Sequence, residues 1–475
     1  MTRMEKIKAY FGVQDMTEGS PMRKLAQFSV PLLIGNFAQQ MYNTVDSIVV
    51  GRELGDNALS AVGTSMPIIN LMLVLFMGIA TGASILAAQY FGAKDRETLG
   101  KVVGTTITLT FVSSLVIMVA GYFATPALIG LMSPAADAGE SAVLFREKIA
   151  PDAVAYLQII FLGILGGGMY NIFSGVLRGI GDSVNPLFYL VIASVLNVIL
   201  DIVMIKAMHS VTAVAWATII AQFVSGTLCL IRLLRMKHLF TVTRQTLKPD
   251  RMLTRKLAAL GLPSGITQGL FSMSAMVVQS LTNAIGGAMI AANVAIMRVD
   301  GFAMMPNFTF GTSGTTYVGQ NIGAGRLDRI RPGVNALLRL AVTTAVILVA
   351  AILLFGDNLI GLFTETPVTR ELGVRGLRWL SLGYIAFAVT NSLQGSMRGM
   401  GETKIPMWIS IFTTIIIRLP LAYALAAITR TPGWPNGSPD AILASLLASW
   451  LISMVITVCI YRWGAWRKKV PGLDS

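Results

Sequence analysis

Three aspartates lie inside long apolar stretches of the sequence: Asp46, Asp201 and Asp300. A charged side chain at the centre of a bilayer costs at least about 2.5–3.5 kcal/mol on insertion scales, so each of them predicts a function or a dedicated partner. A buried structural carboxylate, capped by hydroxyls or by backbone, is the alternative for each. With the N-terminus placed inside, Asp46 and Asp201 each lie a few residues before the outer end of an outward-running stretch. We therefore expect these two carboxylates at one depth.

Two carboxylates at one depth can share a proton or jointly coordinate Na⁺. Asn197 precedes Asp201 by four residues and shares its helix face, where the amide carbonyl can complete an oxygen shell. Thr218, in the sixth apolar stretch, offers a hydroxyl at a comparable depth. One of two adjacent carboxyls keeps its proton near neutral pH in a low dielectric, whereas the same oxygens without that proton suit a hard cation. The residues do not choose between H⁺ and Na⁺, and no other cofactor is predicted.

Asp300 lies near the middle of the eighth apolar stretch, in the sequence IMRVDGF. Arg298 stands two residues earlier and therefore faces another side of the helix, which argues against a direct pair within the helix. Arg418, at mid-depth of the eleventh stretch, is a candidate partner. Two hypotheses stay open. In the first, Asp300 attracts a cationic substrate or is neutralised by arginine, and in the second it belongs to a buried structural ion pair.

These residues are positioned by a chain that is 54% hydrophobic and only 13% charged. Soluble domains contain about 25% charged residues, so the outer surface of this chain faces something other than water. Twelve apolar segments are each long enough for the roughly 20 residues with which a helix spans the hydrocarbon core. They are 25–50, 59–90, 102–132, 153–177, 186–206, 210–234, 257–284, 287–319, 335–363, 376–397, 405–428 and 440–462. The short alternating segments of a transmembrane barrel are absent, so we predict an all-α integral membrane protein with twelve transmembrane helices.

The net charge of +14 has a topological explanation. With the N-terminus inside, most of the 37 Lys and Arg residues fall in the inner connections, as the positive-inside rule requires. Both termini are therefore predicted to be cytoplasmic. The basic excess indicates this topology and an attraction to anionic lipid in the bilayer, and no nucleic-acid partner is expected.

The two halves of the chain repeat one another. The stretch 174–186 (SGVLRGIGDSVNP) recurs as 394–406 (QGSMRGMGETKIP), and 89–93 (QYFGA) is echoed at 320–324 (QNIGA). Parallel repeats of six helices form two pseudo-symmetric lobes, and transporters place substrate sites between such repeats. The predicted organisation is a cytoplasmic N-terminal segment 1–24, an N-lobe 25–234, a cytoplasmic linker 235–256, a C-lobe 257–464 and a cytoplasmic tail 465–475.

The helices that begin each lobe are expected to line the cleft between the lobes. Met suits irregular and variable contacts, and the chain contains 25 of them. The candidate cleft residues are Asn36, Gln40, Met66, Gln268, Met273, Met276 and Met297. For any single Met, packing in the core or against lipid is the alternative. Pro31 predicts a kink in the first helix, which also carries Asp46.

Several motifs, in order, resemble the multidrug and toxic compound extrusion (MATE) family. They are LRGIGDS at 177–183, GQNIGAG at 319–325, and Pro31 followed by YNTVDSIVVG at 42–51, as in the DinF-like bacterial branch. The resemblance implies a monomer in the bacterial inner membrane. It also implies secondary active export of drugs or other small molecules, driven by inward flow of Na⁺ or H⁺. Asp46, Asn197, Asp201 and Thr218 match the N-lobe cation site of that branch.

Other classes fit the sequence less well. A lipid-linked oligosaccharide or peptidoglycan-precursor flippase of the wider superfamily is the alternative, but its members often have extra helices and a strongly cationic cavity. An intramembrane enzyme is not expected, because the two histidines, His209 and His238, are predicted on opposite sides of the membrane. A channel would not explain two carboxylates paired within one lobe.

Overall fold

The computed structural model describes residues 12–132, 143–285, 287–432 and 434–464. The predicted cytoplasmic tail, 465–475, lies outside these residues. Within them the chain forms twelve successive helices, here α1 to α12, and its one β-type contact is an isolated bridge between Thr431 and Trp434. The all-α fold expected from the sequence is confirmed.

The first six helices include one that is bent. Helix α4 begins with the π-helical turn Phe145–Ile149, continues as Ala150–Leu162 and then, after a bend of 52°, as Ile164–Gly179. Gly163 lies at the bend, where an added Cβ would come within 2.3 Å of the Ile219 side chain. The sequence analysis did not predict this bend. The other five are α1 (Pro21–Leu54), α2 (Asp56–Gly92), α3 (Arg96–Leu131), α5 (Val184–Met208) and α6 (Val211–Arg235).

The last six helices include one with a long π-helical part. Helix α11 consists of Lys404–Ile411, the π-helix Phe412–Arg418 and Leu419–Ile428. Such π-helical insertions occur often at functional sites. The others are α7 (Arg251–Ile285), α8 (Gly287–Gly323), α9 (Ile330–Gly361, after the 3₁₀ turn Leu327–Arg329), α10 (Pro367–Gly399) and α12 (Pro439–Trp463).

Not all of these helices are equally apolar. Among the described residues, seven helices are long and apolar enough to span a membrane, or eight when the two arms of α4 count as one span. The remaining four, α1, α7, α8 and α10, are long enough but more polar. Two of them carry Asp46 and Asp300. The lower hydropathy therefore marks helices whose polar residues must be shielded from lipid.

Internal contacts divide the chain into two compact units. Unit 1 comprises Met1–Val13, Ile34–Phe91 and Asp95–Gly265, and unit 2 comprises Gln14–Leu33, Gly92–Lys94 and Ile266–Ser475. The chain therefore passes from one unit to the other inside α1 and again inside α7. Pro31 and Pro263 each stand two residues before such a passage. The lobe limits set from the sequence, 25–234 and 257–464, remain a prediction.

Within unit 1, the first part of α7 packs on α2 through glycines. An added Cβ at Gly82 would lie 2.5 Å from the carbonyl oxygen of Leu257, and one at Gly261 would lie 2.4 Å from the carbonyl oxygen of Gly78. Backbone atoms cannot move aside as a flexible side chain can. The absence of side chains at these positions therefore allows α2 and α7 to approach at backbone distance.

The predicted linker is packed against α3 in unit 1. The Thr108 hydroxyl donates to the Leu247 carbonyl at 2.6 Å, and the Asp250 amide donates to the Thr105 hydroxyl at 3.4 Å. The linker therefore forms part of the folded unit.

At the start of α3, Asp95 accepts a hydrogen bond from the Thr98 amide at 2.9 Å, and this bond holds the pKa of the Asp95 carboxyl below its usual range.

The glycine contact predicts opposite effects for two substitutions in one helix. Gly82→Ala is expected to lower the thermal midpoint of the detergent-solubilised protein, since overpacking against backbone costs about 1–3 kcal/mol. Gly63→Ala, also in α2, is the matched control, because no atom lies within 4 Å of its added Cβ. There the better helix propensity of Ala is expected to leave the midpoint unchanged or raised. Equal midpoints for the two variants would contradict the close approach of α2 and α7.

Candidate functional site

In unit 1, the side chains of Asp46 on α1 and Asp201 on α5 contact one another at hydrogen-bonding range. Asp46 is 8% exposed and Asp201 is fully buried. Two ionised carboxylates repel one another and cannot form a hydrogen bond, so this contact requires one proton between them or a cation beside them. The geometry therefore brings together two groups that can hold a single positive charge.

Asn197 lies one helical turn before Asp201 on α5 and is fully buried. With its amide oriented so that both atoms are satisfied, the nitrogen donates to Asp201 Oδ2 at 2.8 Å. Its oxygen accepts from the main-chain amide of Thr218 on α6 at 3.2 Å. The structure thus differs from the sequence-based expectation in two respects. The Asn197 carbonyl is already engaged, and Thr218 takes part through its backbone, while its side chain is half-buried.

Two oxygens of the carboxyl pair lack partners. Asp46 Oδ1 and Asp201 Oδ1 are both buried and accept no hydrogen bond. Burying an acceptor without a partner costs free energy, and the cost is larger for a charged group. Among the described residues, no cluster of three or more His, Cys, Asp or Glu side chains is suited to a metal ion. The pair, Asn197 and Thr218 therefore form a small polar site with two free acceptor positions.

Unit 2 contains a second polar cluster around Asp300, which is half-buried on α8. Asp300 interacts with Arg418, the last residue of the π-helix in α11, and with Tyr384 on α10. Tyr384 is 1% exposed, and its hydroxyl lies beside the Asp300 carboxyl without a hydrogen bond of regular geometry. Arg298 is exposed and is not among the charged neighbours of Asp300. The structure thus groups Asp300 with Arg418 and leaves Arg298 apart.

Tyr384 is the member of this cluster that the sequence analysis missed. It lies among apolar residues of α10, in the sequence LGYIAFAV, and nothing in that pattern separates it from an ordinary core tyrosine. Three buried atoms of the cluster have no hydrogen-bond partner: Asp300 Oδ1, the Tyr384 hydroxyl and Arg418 Nε. An acceptor, a donor and a hydroxyl that can act as either are therefore available at one place.

The candidate cleft residues differ in exposure. Asn36, Gln40 and Gln268 are half-buried, whereas the four methionines are 39–62% exposed. Met297 accepts a weak hydrogen bond from the Asn293 amide, with 3.6 Å between nitrogen and sulfur. Pro31 is buried within α1, which stays helical on both sides of it. Among these four exposed methionines, Met66 belongs to unit 1, whereas Met273, Met276 and Met297 belong to unit 2.

The MatE family model matches residues 31–203 and 263–424, one stretch in each half of the chain. This chain belongs to the MATE family of membrane transporters. It is similar to the Bacillus subtilis protein named probable multidrug resistance protein YoeA, with 30% identity over 94% of this chain and 96% of the relative. It is also similar to the B. subtilis protein named probable multidrug resistance protein YpnP, with 28% identity over 97% and 98% of the two chains.

Solved structures of the MATE type share the fold. A MOP superfamily transporter from Pyrococcus furiosus aligns with a TM-score of 0.85 at 23% identity, over 98% of this chain and 99% of that one. A structure described as a multidrug resistance MATE family transporter in an outward-facing conformation gives the same TM-score. The twelve-helix membrane fold of this MATE protein is therefore confirmed.

The buried amide predicts a loss of stability on substitution. Asn197→Leu preserves approximate volume but leaves an oxygen of Asp201 without its hydrogen-bond donor, at a cost of about 1–3 kcal/mol. We expect a lower thermal midpoint in detergent. Thr218→Val is the control, because it keeps the main-chain amide that donates to Asn197 and should change the midpoint little. An unchanged midpoint for Asn197→Leu would contradict the hydrogen bonds assigned to this amide.

Proposed function

We propose that this MATE protein is a secondary active transporter that exports drugs or cationic and amphipathic small molecules by antiport with H⁺ or Na⁺. The observation that carries the proposal is the buried contact of Asp46 with Asp201. An ion-coupled transporter needs a site whose net charge changes when the ion binds. The net charge of this carboxyl pair changes by one when a proton or Na⁺ binds to it. Two relatives are named probable multidrug resistance proteins, and these names support the proposed class of substrate.

The proposed cycle couples the charge of this site to the two lobes. A proton or cation arrives at Asp46 and Asp201 from outside and neutralises the pair. Neutralisation allows α1 to bend near Pro31, and substrate is released outward. Reorientation of the lobes then exposes the site to the cytoplasm, where the ion leaves. In this cycle the ion and the substrate favour different states, which is the condition for coupling them.

We infer a preference for a proton over Na⁺ from the orientation of the Asn197 amide that satisfies both of its polar atoms. Na⁺ is a hard cation and prefers several oxygen ligands. The Asn197 oxygen is engaged by the Thr218 amide, and its nitrogen, a donor, faces Asp201. The remaining oxygens are those of the two carboxyls, which a single shared proton can bridge. Coupling to Na⁺ would require the Asn197 amide to turn over.

We propose a substrate or charge-compensating role for Asp300 and Arg418 in unit 2. Their proximity means that Arg418 offsets the charge of Asp300 when the site is empty. The unpartnered Tyr384 hydroxyl and Asp300 Oδ1 remain free to bind a polar or cationic group of the substrate. Arg298 is exposed on α8, the helix of Asp300, and we assign it no role beyond the attraction of negatively charged groups.

The remaining expectations complete the proposal. The protein acts as a monomer in the bacterial inner membrane with both termini in the cytoplasm, and it needs neither a cofactor nor a nucleic-acid partner. We propose that the half-buried polar residues Asn36, Gln40 and Gln268 and the four exposed methionines contact substrate during transport. Transport, and not an enzymatic reaction, is its activity.

Substitution of the coupling carboxyl provides the direct test. Asp46→Asn is expected to reduce ion-driven efflux from proteoliposomes to the background rate, because an amide cannot gain and lose the charge. The folded protein should persist, with an unchanged elution profile. Glu97→Gln is the matched control, since the Glu97 side chain is 80% exposed at the start of α3. Efflux by Asp46→Asn at the wild-type rate would overturn the proposal.

Separately imposed gradients decide the ion. In proteoliposomes that contain the wild-type protein, a proton gradient directed into the vesicle, in the absence of Na⁺, is expected to drive substrate out of the vesicle. An inward Na⁺ gradient at equal pH on both sides is expected to drive little. The reverse result would reject the preference for protons, and movement without either gradient would reject antiport altogether.

A further inference from the structure

The segment that precedes α1 is buried in unit 2. Residues 14–19, here called the strap, form no helix, but Gln14, Met16 and Thr17 are only 5%, 0% and 6% exposed. Asp15 shapes the strap by accepting hydrogen bonds from the amide and the hydroxyl of Thr17, at 2.9 and 2.6 Å. The Met16 side chain packs into a core cluster that includes Phe28. The strap is therefore an integral part of the unit.

Three side chains of unit 2, here called the clamp, bind the backbone of the strap. Gln320 Oε1 accepts from the Met16 amide at 2.9 Å, and Asn321 Nδ2 donates to the Met16 carbonyl at 3.2 Å. Arg329 donates to the Gly19 carbonyl at 2.7 Å and to the Met16 carbonyl at 3.4 Å. Gln320 and Asn321 come from the repeated QNIGA motif at the end of α8, so the clamp explains a motif that the coupling site leaves unused.

The clamp is itself held in one geometry. Asn321 Nδ2 donates to the Tyr317 carbonyl at 2.8 Å, and Asn321 Oδ1 accepts from Arg329 Nε at 3.2 Å. The Tyr317 hydroxyl donates to the Arg329 carbonyl at 3.2 Å. Both hydrogens and the oxygen of the Asn321 amide are thus engaged, and Gln320 and Asn321 are fully buried. A buried polar network with satisfied members is rigid and specifies one arrangement.

The strap leads directly into α1, which continues the attachment to unit 2. Ser29 on α1 and Ser313 on α8 form a buried hydrogen bond with 2.8 Å between their hydroxyl oxygens. Residues up to Leu33 belong to unit 2, whereas the later part of α1, with Asp46, belongs to unit 1. One end of the helix that carries the candidate coupling carboxyl is therefore fixed to the unit that lacks this carboxyl.

We propose that Gln320, Asn321 and Arg329 are positioning residues that fix the base of α1 to unit 2 throughout transport. A helix fixed at its base must bend or pivot when its far end is displaced, whereas a helix with a free base can slide or rotate as a whole. The clamp thereby converts a change at Asp46 into a bend or pivot of α1 about its fixed base. This inference rests on the proposed coupling role of Asp46.

Loss of the clamp should separate ion binding from transport. In Asn321→Leu, we expect ion-driven efflux to fall by about tenfold, which lies within the range of typical coupling between two sites. Substrate-induced proton release from the purified protein is expected to persist. A merely structural role would lower both together, as would a change at the coupling carboxyls. Efflux equal to wild type would overturn the role of the clamp. Asp46→Asn, measured in parallel, distinguishes the proposals, because efflux that survives in Asp46→Asn rejects the proposed function itself.

A covalent restraint tests the fixed base even if Asn321→Leu fails to fold. Ser29→Cys with Ser313→Cys, in a background with Cys229→Ser and Cys459→Ser, places two thiols where two hydroxyls now touch. If the base stays attached throughout transport, efflux after oxidation should equal efflux after reduction. Efflux that stops on oxidation and returns on reduction would show that the base must detach, and the proposal would be wrong.

Discussion

The contact between Asp46 and Asp201 constrains the surrounding structure, because two buried carboxyls at hydrogen-bonding range cannot both be charged at low cost. The neighbouring groups are consistent with this limit. Asn197 supplies one donor to Asp201, the Thr218 amide occupies the oxygen of Asn197, and one oxygen on each carboxyl stays unpartnered. Among the residues that the structure describes, no basic side chain lies close enough to offset the charge of either carboxyl. The site is therefore stable when it holds one positive charge and unstable when it is empty and fully ionised.

Polar residues inside membrane helices must be shielded from lipid, and the shielding must come from packing. This need is greatest for helices α1, α7, α8 and α10, which are long but less apolar than the other eight. Close approach through glycine supplies the packing where the hydrophobic effect cannot, because lipid is as apolar as the side chains it would replace. The contact of Gly82 with the Leu257 backbone is one example in unit 1, and the contact of Gly395 with the Gly311 carbonyl is another in unit 2.

Hydropathy and spacing predicted the twelve helices and the neighbours of Asp201, because both depend on short-range periodicity along the chain. The spacing of four residues places Asn197 and Asp201 on one helix face. It does not determine the orientation of the Asn197 amide, which depends on a main-chain donor of another helix. Tyr384 was missed because a buried tyrosine has the same local pattern whether or not an aspartate faces it. The bend of α4 at Gly163 was not expected, and the side chain that packs against Gly163 there, Ile219, is distant in sequence.

The strap shows the same limit most clearly and also indicates how it arises. The repeated motif containing Gln320 and Asn321 was visible in the sequence, whereas its ligand, the backbone near Met16, lies some three hundred residues away. A clamp that binds amide and carbonyl groups places almost no demand on the side chains it holds, apart from the buried Met16, so the strap itself carries no recognisable motif. The requirement falls on the clamp, where an amide with two donors and one acceptor is fully used and neither Asp nor Leu has the same groups. Since α1 begins at this attachment and later carries Asp46, the motif in one half of the chain bears on the carboxyl pair in the other through a single continuous helix.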